Sequence, residues 1–382
     1  MALITYLTRI QFDFGALKLL DAELQLLGIR RPLIVTDKGV VAAGLWAKVK
    51  EQLPGNMPIA LYDGTPENPT EAAMRDALKV YKEQDCDGLI AIGGGSPMDL
   101  AKAVALMATH PGNSLQTYAM VEGGAAKITP KVAPIVAIPT TSGTGSEVSR
   151  GGVIIMDSGR KLAIGSPHLI PKLALIDPEL TLGLPPHLTA GTGMDAFTHN
   201  IECFLSNAFN PPADSIALDG LEKAWRYVER ATKDGQDREA RYHMAMAAME
   251  GAMVFQKGLG TVHALSHPTG GLKGYRTHHG TLNAIYLPAV LRFNEPAVGE
   301  KFRKVGQIMG LKESEHNAAG VAAAVAALNE RLGIPKGLGK VGLKDDTIEQ
   351  IADGALGDHC HLSTPRQPTK AEYIQLIQQS WG

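Results

Sequence analysis

A doubly wound, mainly parallel α/β domain followed by an all-α domain is the fold class that this 382-residue sequence predicts. Three observations predict it. Up to about residue 180, short apolar runs alternate with stretches of helical spacing; after Pro185 and Pro186 helical spacing dominates and β-branched runs become few; and two glycine- and hydroxyl-rich turns directly follow apolar runs in the first half. Near-continuous apolar strands separated by helices mark a parallel sheet covered on both faces. The change of pattern sets the boundaries at 1–182 and 183–382.

The first strands expected are PLIVTD (32–37), MPIALYD (57–63), DGLIAIGGG (87–95) and APIVAIPT (133–140), each bounded by turn residues. Helical patterns at 15–28, 40–53, 70–84 and 97–108 separate them. Segments 152–157 and 172–177 read as further strands, with 160–164 able to form a small hairpin instead. Beyond residue 186, helices are expected over 188–205, 213–231, 237–256, 281–292, 296–309, 315–331 and 370–380. No internal repeat of fixed period is visible.

Composition narrows the function classes. Apolar residues make up 45% and charged residues 20%, the balance of a globular protein that buries a sizeable core. A formal charge of −2 argues against nucleic acid or an anionic membrane as partner, since either requires a basic face. Cys86, Cys203 and Cys360 lie far apart and form no CxxC pair, which speaks against a disulfide framework or a thiolate zinc motif and for a reducing compartment. The opening MALITYLTRIQF lacks the features of a signal peptide, and the apolar run from Ala318 to Leu328 is too short to span a bilayer. A cytoplasmic location is expected.

The chemistry begins at the two turns. GGGSPMDLAK (93–102) closes one strand and opens a helix, where glycines admit a phosphate close to the backbone and the helix N-terminus presents free N–H groups. The spacing is not GxGxxG, because Met98 stands where the third glycine would be. TTSGTGSEVS (140–149) likewise follows a strand, and its hydroxyls and bare amides suit pyrophosphate oxygens or a nicotinamide carboxamide. Two such loops at strand ends favour a dinucleotide crevice. Asp37 ends its own strand, where a carboxylate accepts hydrogen bonds from ribose hydroxyls and repels a 2′-phosphate, an indication of NAD over NADP; the same position also suits a helix N-cap.

A second constellation lies in the later half. Asp195 and His199 are four apart on a helical pattern, His263 and His267 repeat that spacing, and His278 and His279 follow. These are five of the twelve histidines. Imidazole and carboxylate without thiolate suit Fe²⁺, Zn²⁺, Mn²⁺ or Co²⁺. Spacing alone does not choose which of these side chains bind.

The stretch Asp177 to Glu202, with its TGMDAF core, resembles the first signature of the iron-containing (group III) alcohol dehydrogenases, and the resemblance runs over nearly the whole chain. It implies an NAD-dependent oxidoreductase with metal ligation by Asp195, His199, His263 and His279, leaving His267 as a proton-relay or substrate-contacting group. It also implies cofactor contacts at Asp37, Asn68, Gly94, Gly95, Ser96, Thr140, Thr141, Thr144 and Lys161, and a homodimer. One departure stands out: PTGGLKGYRTH between His267 and His279 is about two residues longer than the usual spacing. The match of His279 therefore rests on the following GTLNAIYLP, with His278 as second choice.

Within the family, LTRIQFDFGAL, TDKGVVAAG (36–44), FNPPADSIALDGLE (209–222) and HHGTLNA (278–284) resemble the bacterial 4-hydroxybutyrate dehydrogenases. That likeness implies interconversion of 4-hydroxybutyrate and succinate semialdehyde. Such a carboxylate needs a cationic partner, for which Arg150 and Arg276 are preferred; Lys273, His278 and the cluster His359, Cys360 and His361 are further substrate candidates. Competing readings are a dehydrogenase of another short alcohol or diol, a metalloenzyme like dehydroquinate synthase or glycerol-1-phosphate dehydrogenase, and a non-catalytic nucleotide-binding protein.

Overall fold

The computed structural model describes residues 8–112 and 114–382, so most of the leader reading at the N-terminus lies outside the described residues. The described residues form two compact units: 8–141 together with 145–183, and 142–144 together with 184–382.

The first unit is built on a six-stranded sheet in the order β1-β8-β5-β4-β2-β3, all its pairings parallel. Its strands are β1 (Arg9–Phe12), β2 (Pro32–Val35), β3 (Ala60–Tyr62), β4 (Gly88–Gly93), β5 (Ile135–Pro139) and β8 (Leu173–Ile176). Strands β2, β4, β5 and β8 are buried along their whole length, which is why they read as unbroken apolar runs. Helices α1 (Leu20–Leu27), α2 (Lys38–Ala42), α3 (Leu45–Lys50), α4 (Glu71–Glu83) and α5 (Gly95–Met107) connect them. The single helix expected over 40–53 is two, because Gly44 at φ +74° breaks it.

Two differences concern strands. Residues 152–157 do not join the main sheet: β6 (Gly151–Ile155) pairs antiparallel with β7 (Lys161–Gly165), the hairpin alternative at 160–164. Strand β1 carries no sequence signal because it is a half-covered edge with polar Arg9 and Gln11. Both donate to the buried carboxylate of Glu23, at 2.9 and 2.7 Å.

The second unit is helical: α6 (Pro186–Leu205), α7 (Pro211–Lys233), α8 (Arg238–Met253), α9 (Thr261–Gly270), α10 (His279–Ile308), α11 (Ala318–Arg331), α12 (Ile348–Leu356) and α13 (Lys370–Gln379). Helix α6 is buried from Thr189 to Leu205 and packs against α7, α8 and α10. Two lysines hold its C-terminal carbonyls. Lys301 Nζ donates to Ser206 O at 2.6 Å and Phe204 O at 2.9 Å, and the buried Lys257 reaches the same two oxygens while pairing with Asp214. Cations there oppose the negative end of the helix dipole. The two helices expected at 281–292 and 296–309 lie within α10 and meet at a kink, where Val298, two residues after Pro296, has a non-helical backbone (φ −139°, ψ 16°). Helices α9 and α12 escape the sequence reading. Nearly all of α9 is buried, so it has no polar face to give it a period, and it contains Pro268.

Candidate metal centre and nucleotide-binding loops

Helix α6 is the anchor of the first cluster. Asp195 and His199, one turn apart, meet at 3.4 Å between Oδ1 and Nε2. Helix α9 brings His263 Nε2 to 3.8 Å from the same Asp195 oxygen, and the first residue of α10 brings His279 Nε2 to 3.7 Å. Close helix approach makes this possible: a Cβ on Gly280 would lie 2.1 Å from Gly191 O and 3.0 Å from Asp195 Cβ, so only glycine lets α10 sit this near α6. His278 is turned away from the cluster and caps α10 through Thr281 N.

Bonds of about 2.0–2.2 Å from a metal to nitrogen and oxygen ligands place neighbouring ligand atoms roughly 3–3.5 Å apart. The observed separations are close to that, and the lone pairs converge. Asn283 Nδ2 stands among them, 2.7 Å from Asp195 Oδ1 and 3.2 Å from both His263 Nε2 and His279 Nε2. A hydrogen-bond donor thus sits where several acceptors point, and the donor set fits a divalent cation.

The charges agree. Burial opposes ionisation of Asp195, yet His199, His279 and His263 hold its carboxyl well below the usual range. Burial pushes His199 down to about 4. Burial also works against a charged His263, but Asp195 and Glu202 outweigh it and raise that ring to about 9. Two buried carboxylates among these imidazoles therefore retain positive charge, as a proton or as a metal.

Three polar residues in or beside this cluster were not picked out from the sequence as site residues. Glu202 accepts from Val262 N at 2.7 Å, Gly260 N at 3.0 Å and His263 Nδ1 at 2.7 Å. The last bond keeps the proton on Nδ1 and frees Nε2 for ligation. Asn283 is the second. Both had a legible signal, Glu202 three residues after His199 and Asn283 four after His279, each on the same helix face as that histidine. Asp358, the third, had none: its Oδ2 lies 3.0 Å from His267 Nδ1 across 91 residues of chain. The His267 ring stacks on that of His279, with centroids 5.5 Å apart.

In the sheet unit, Asp37, Gly94, Gly95, Ser96, Thr140 and Thr141 follow the adjacent strands β2, β4 and β5, whereas Asn68 lies beyond β3 and Lys161 opens β7. Gly94 caps α5 at the end of β4. Gly93, at φ +145°, leaves no room for a Cβ, which would lie 2.7 Å from Pro97 Cγ. Thr140 N donates to Gly93 O at 3.0 Å, setting the turn after β5 beside the glycine turn, and a Cβ on Gly94 would lie 3.2 Å from Thr141 Oγ1. Ser96 Oγ donates to Glu67 O, and Lys161 Nζ donates to Asn68 Oδ1 at 2.9 Å. Asp37, after β2, caps α2 by accepting from Val40 N at 2.9 Å through Oδ1. Thr144 belongs to the segment grouped with the helical unit.

Buried groups brace the turn after β5. Lys102 donates to Ser146 O and Oγ at 2.8 Å each, to Ser149 Oγ at 3.1 Å and to Gly151 O at 2.6 Å. Asp99 accepts from Ser146 Oγ at 2.7 Å and Val153 N at 2.8 Å. Burial raises the carboxyl of Asp99 and lowers the ammonium of Lys102 to about 8.

The substrate candidates are scattered. Arg150 is exposed in the sheet unit, and Arg276 and Lys273 are exposed in the loop before α10. Cys360 is buried, its Sγ 3.4 Å from His359 Nε2, while His361 Nδ1 pairs with Tyr373 Oη at 2.9 Å.

Residues 8–178 match the model of the iron-containing alcohol dehydrogenases, and residues 189–381 match the C-terminal model of the same family. Over the full length of both chains, the sequence is 55% identical to a 4-hydroxybutyrate dehydrogenase from Cupriavidus necator. A crystal structure of a 1,3-propanediol oxidoreductase superposes with a TM-score of 0.93 at 35% identity, covering 100% of each chain. A sulfoacetaldehyde reductase from Bifidobacterium kashiwanohense, solved with NAD⁺, superposes with a TM-score of 0.86 at 26% identity, covering 99% of this chain and 98% of that one.

Proposed function

Given that the chain belongs to the iron-containing alcohol dehydrogenase family, we propose that it interconverts 4-hydroxybutyrate and succinate semialdehyde with NAD as hydride carrier. The 55% identity to the Cupriavidus necator enzyme over the whole of both chains carries this reading. Family membership makes the protein an oxidoreductase. The proposed ligands of its metal are Asp195, His199, His263 and His279, with Fe²⁺ preferred and Zn²⁺, Mn²⁺ or Co²⁺ as alternatives. Tight clustering around Asp195 Oδ1 supports that set. Use of NAD is supported by the NAD⁺-bound relative, by the two glycine turns and by the carboxylate of Asp37.

Oxidation converts the primary alcohol, with NAD⁺, to the aldehyde, NADH and a proton. A bound divalent cation supplies Lewis-acid polarisation of the substrate oxygen. The protein's residues do the rest. Glu202 fixes the tautomer of His263, and Asn283 holds Asp195 by a hydrogen bond. His267, oriented through Nδ1 by Asp358, is assigned the hydroxyl proton, for which an imidazole is suited near neutral pH. The turns after β4 and β5 offer backbone amides and hydroxyls to the dinucleotide. For the substrate carboxylate we propose Arg276 or Arg150, whose guanidinium groups match it bidentately.

A second reading, a dehydrogenase of short diols, is favoured by the likeness to the 1,3-propanediol oxidoreductase. Initial rates with NAD⁺ after Fe²⁺ reconstitution separate the two. The proposal expects kcat/KM for 4-hydroxybutyrate at least about tenfold above butan-1-ol and propane-1,3-diol, the worth of one charge-assisted contact. Equal efficiency with butan-1-ol rules out a carboxylate pocket, and a preference for the diol supports the second reading.

A further inference from the structure

Beside the Asp195 centre, the helical unit carries a second cluster of ligand-type side chains, and this one contains a thiol. His267, Asp358, His359 and Cys360 each offer one ligand atom, and the four atoms all lie within 4.8 Å of one another. Asp358 Oδ2 is 3.0 Å from His267 Nδ1, Asp358 Oδ1 is 3.5 Å from His359 Nδ1, and Cys360 Sγ is 3.4 Å from His359 Nε2. In a tetrahedral zinc site, bonds of about 2.0–2.3 Å put neighbouring ligand atoms roughly 3.3–3.8 Å apart. One ion takes only one His359 nitrogen, so the four ligand atoms, which lie within 4.8 Å of one another, draw in by up to about 1 Å on binding.

Three of the four groups are consecutive, at the start of the short helix His359–Ser363, where Asp358 is the N-cap and accepts from Cys360 N at 2.8 Å. His267, on α9, completes the set, its ring stacked on His359 with centroids 5.4 Å apart. The Asp358 and Cys360 side chains are buried, whereas that of His359 keeps 27% exposure and gives a hydrated ion a way in. Sulfur, nitrogen and carboxylate oxygen together form a donor set that selects Zn²⁺ or Co²⁺ over the harder cations. The Asp195 cluster offers oxygen and nitrogen only.

We propose that His267, Asp358, His359 and Cys360 form a second, thiolate-containing site for Zn²⁺ or Co²⁺, separate from the centre at Asp195. Ligation by sulfur requires the Cys360 thiolate, so binding releases the thiol proton to solvent. The ion takes the Nδ1 position of His267 and so competes with the hydrogen bond by which Asp358 orients that ring.

Cobalt reads the two sites apart, because a thiolate-to-cobalt charge-transfer band arises only where sulfur binds. Full-length protein stripped by chelation and titrated with Co²⁺ should bind two equivalents, with the near-ultraviolet band developing with one of them. Cys360→Ser should abolish the band, and His359→Ala, at the exposed rim, should weaken that equivalent at least tenfold; each variant should keep the other equivalent. Cys86→Ser should leave the band intact. One equivalent without a band overturns the proposal, as does a band that survives Cys360→Ser or vanishes in Cys86→Ser. None of these outcomes depends on which alcohol the enzyme oxidises.

Discussion

Replacing Glu202 by glutamine keeps the shape of the side chain but removes the charge and one acceptor, and the structure states what that does. Oε2 serves Gly260 N and His263 Nδ1, while Oε1 serves Val262 N. With the amide oxygen in the Oε2 position, the Val262 N–H faces an NH₂ group. With the oxygen at Oε1, both Gly260 N and His263 Nδ1 face it, and His263 is driven to the tautomer whose Nε2 carries a proton and cannot ligate. The first arrangement costs less, yet it still sacrifices one buried bond to a charged acceptor, about 1.5–3 kcal/mol. It also weakens the basicity of the imidazole. Loss of such a partner lowers metal affinity by about 10–100-fold, or roughly 1.4–2.8 kcal/mol. Competition with a chromophoric chelator measures this in the purified protein, with far-ultraviolet circular dichroism confirming that Glu202→Gln is folded. An affinity within about threefold of wild type refutes the role given to Glu202.

Gly280→Ala forces α10 away from α6, because the new methyl would meet Gly191 O at 2.1 Å; lowered metal content together with a lower Tm is expected, and retention of both contradicts the packing argument. Burial, then Asp219, raises Glu250 from 4.5 to about 8, with Lys223 3.6 Å away opposing the shift. The folded state therefore binds the Glu250 proton more tightly than the unfolded state. Its contribution is complete below pH 4.5 and is lost as pH rises towards 8. Glu250→Gln should accordingly gain stability relative to wild type from pH 5 to 8.5, by on the order of a few kcal/mol, and a Tm difference flat across that range counts against it. On the role proposed for Asp37, Asp37→Ser lowers the ratio of kcat/KM for NAD⁺ over NADP⁺ about tenfold or more; an unchanged ratio leaves Asp37 as the cap of α2 alone.

The parallel sheet, the helical second half and the family were legible in the linear chain because each rests on local pattern. A strand buried on both faces shows itself as an apolar run, as β4 and β5 do, and a long amphipathic helix such as α7 shows itself by its period. Asp195 and His199 could be paired for the same reason, one helical turn being a short-range relation. Where a segment lacks a half-exposed face the signal fails: α9 is nearly all buried, and β1 is an edge whose polar residues are satisfied by Glu23.

Other facts were decided only by tertiary packing. That His279 reaches Asp195 while His278 turns to cap α10 depends on the contact of Gly280 with Gly191, residues far apart in the chain, and the histidine pair itself contains nothing that distinguishes them. The pairing of His267 with Asp358 spans 91 residues, and the grouping of Cys360 with two histidines arises only when α9 lies against the short helix at 359–363. Sequence by itself determined which elements form and which side chains have metal-binding chemistry, because backbone and burial preferences act over a few residues. Which of those side chains converge was left to the fold, because a coordination shell a few ångströms wide is assembled from helices whose crossing is set by close packing and not by any spacing along the chain.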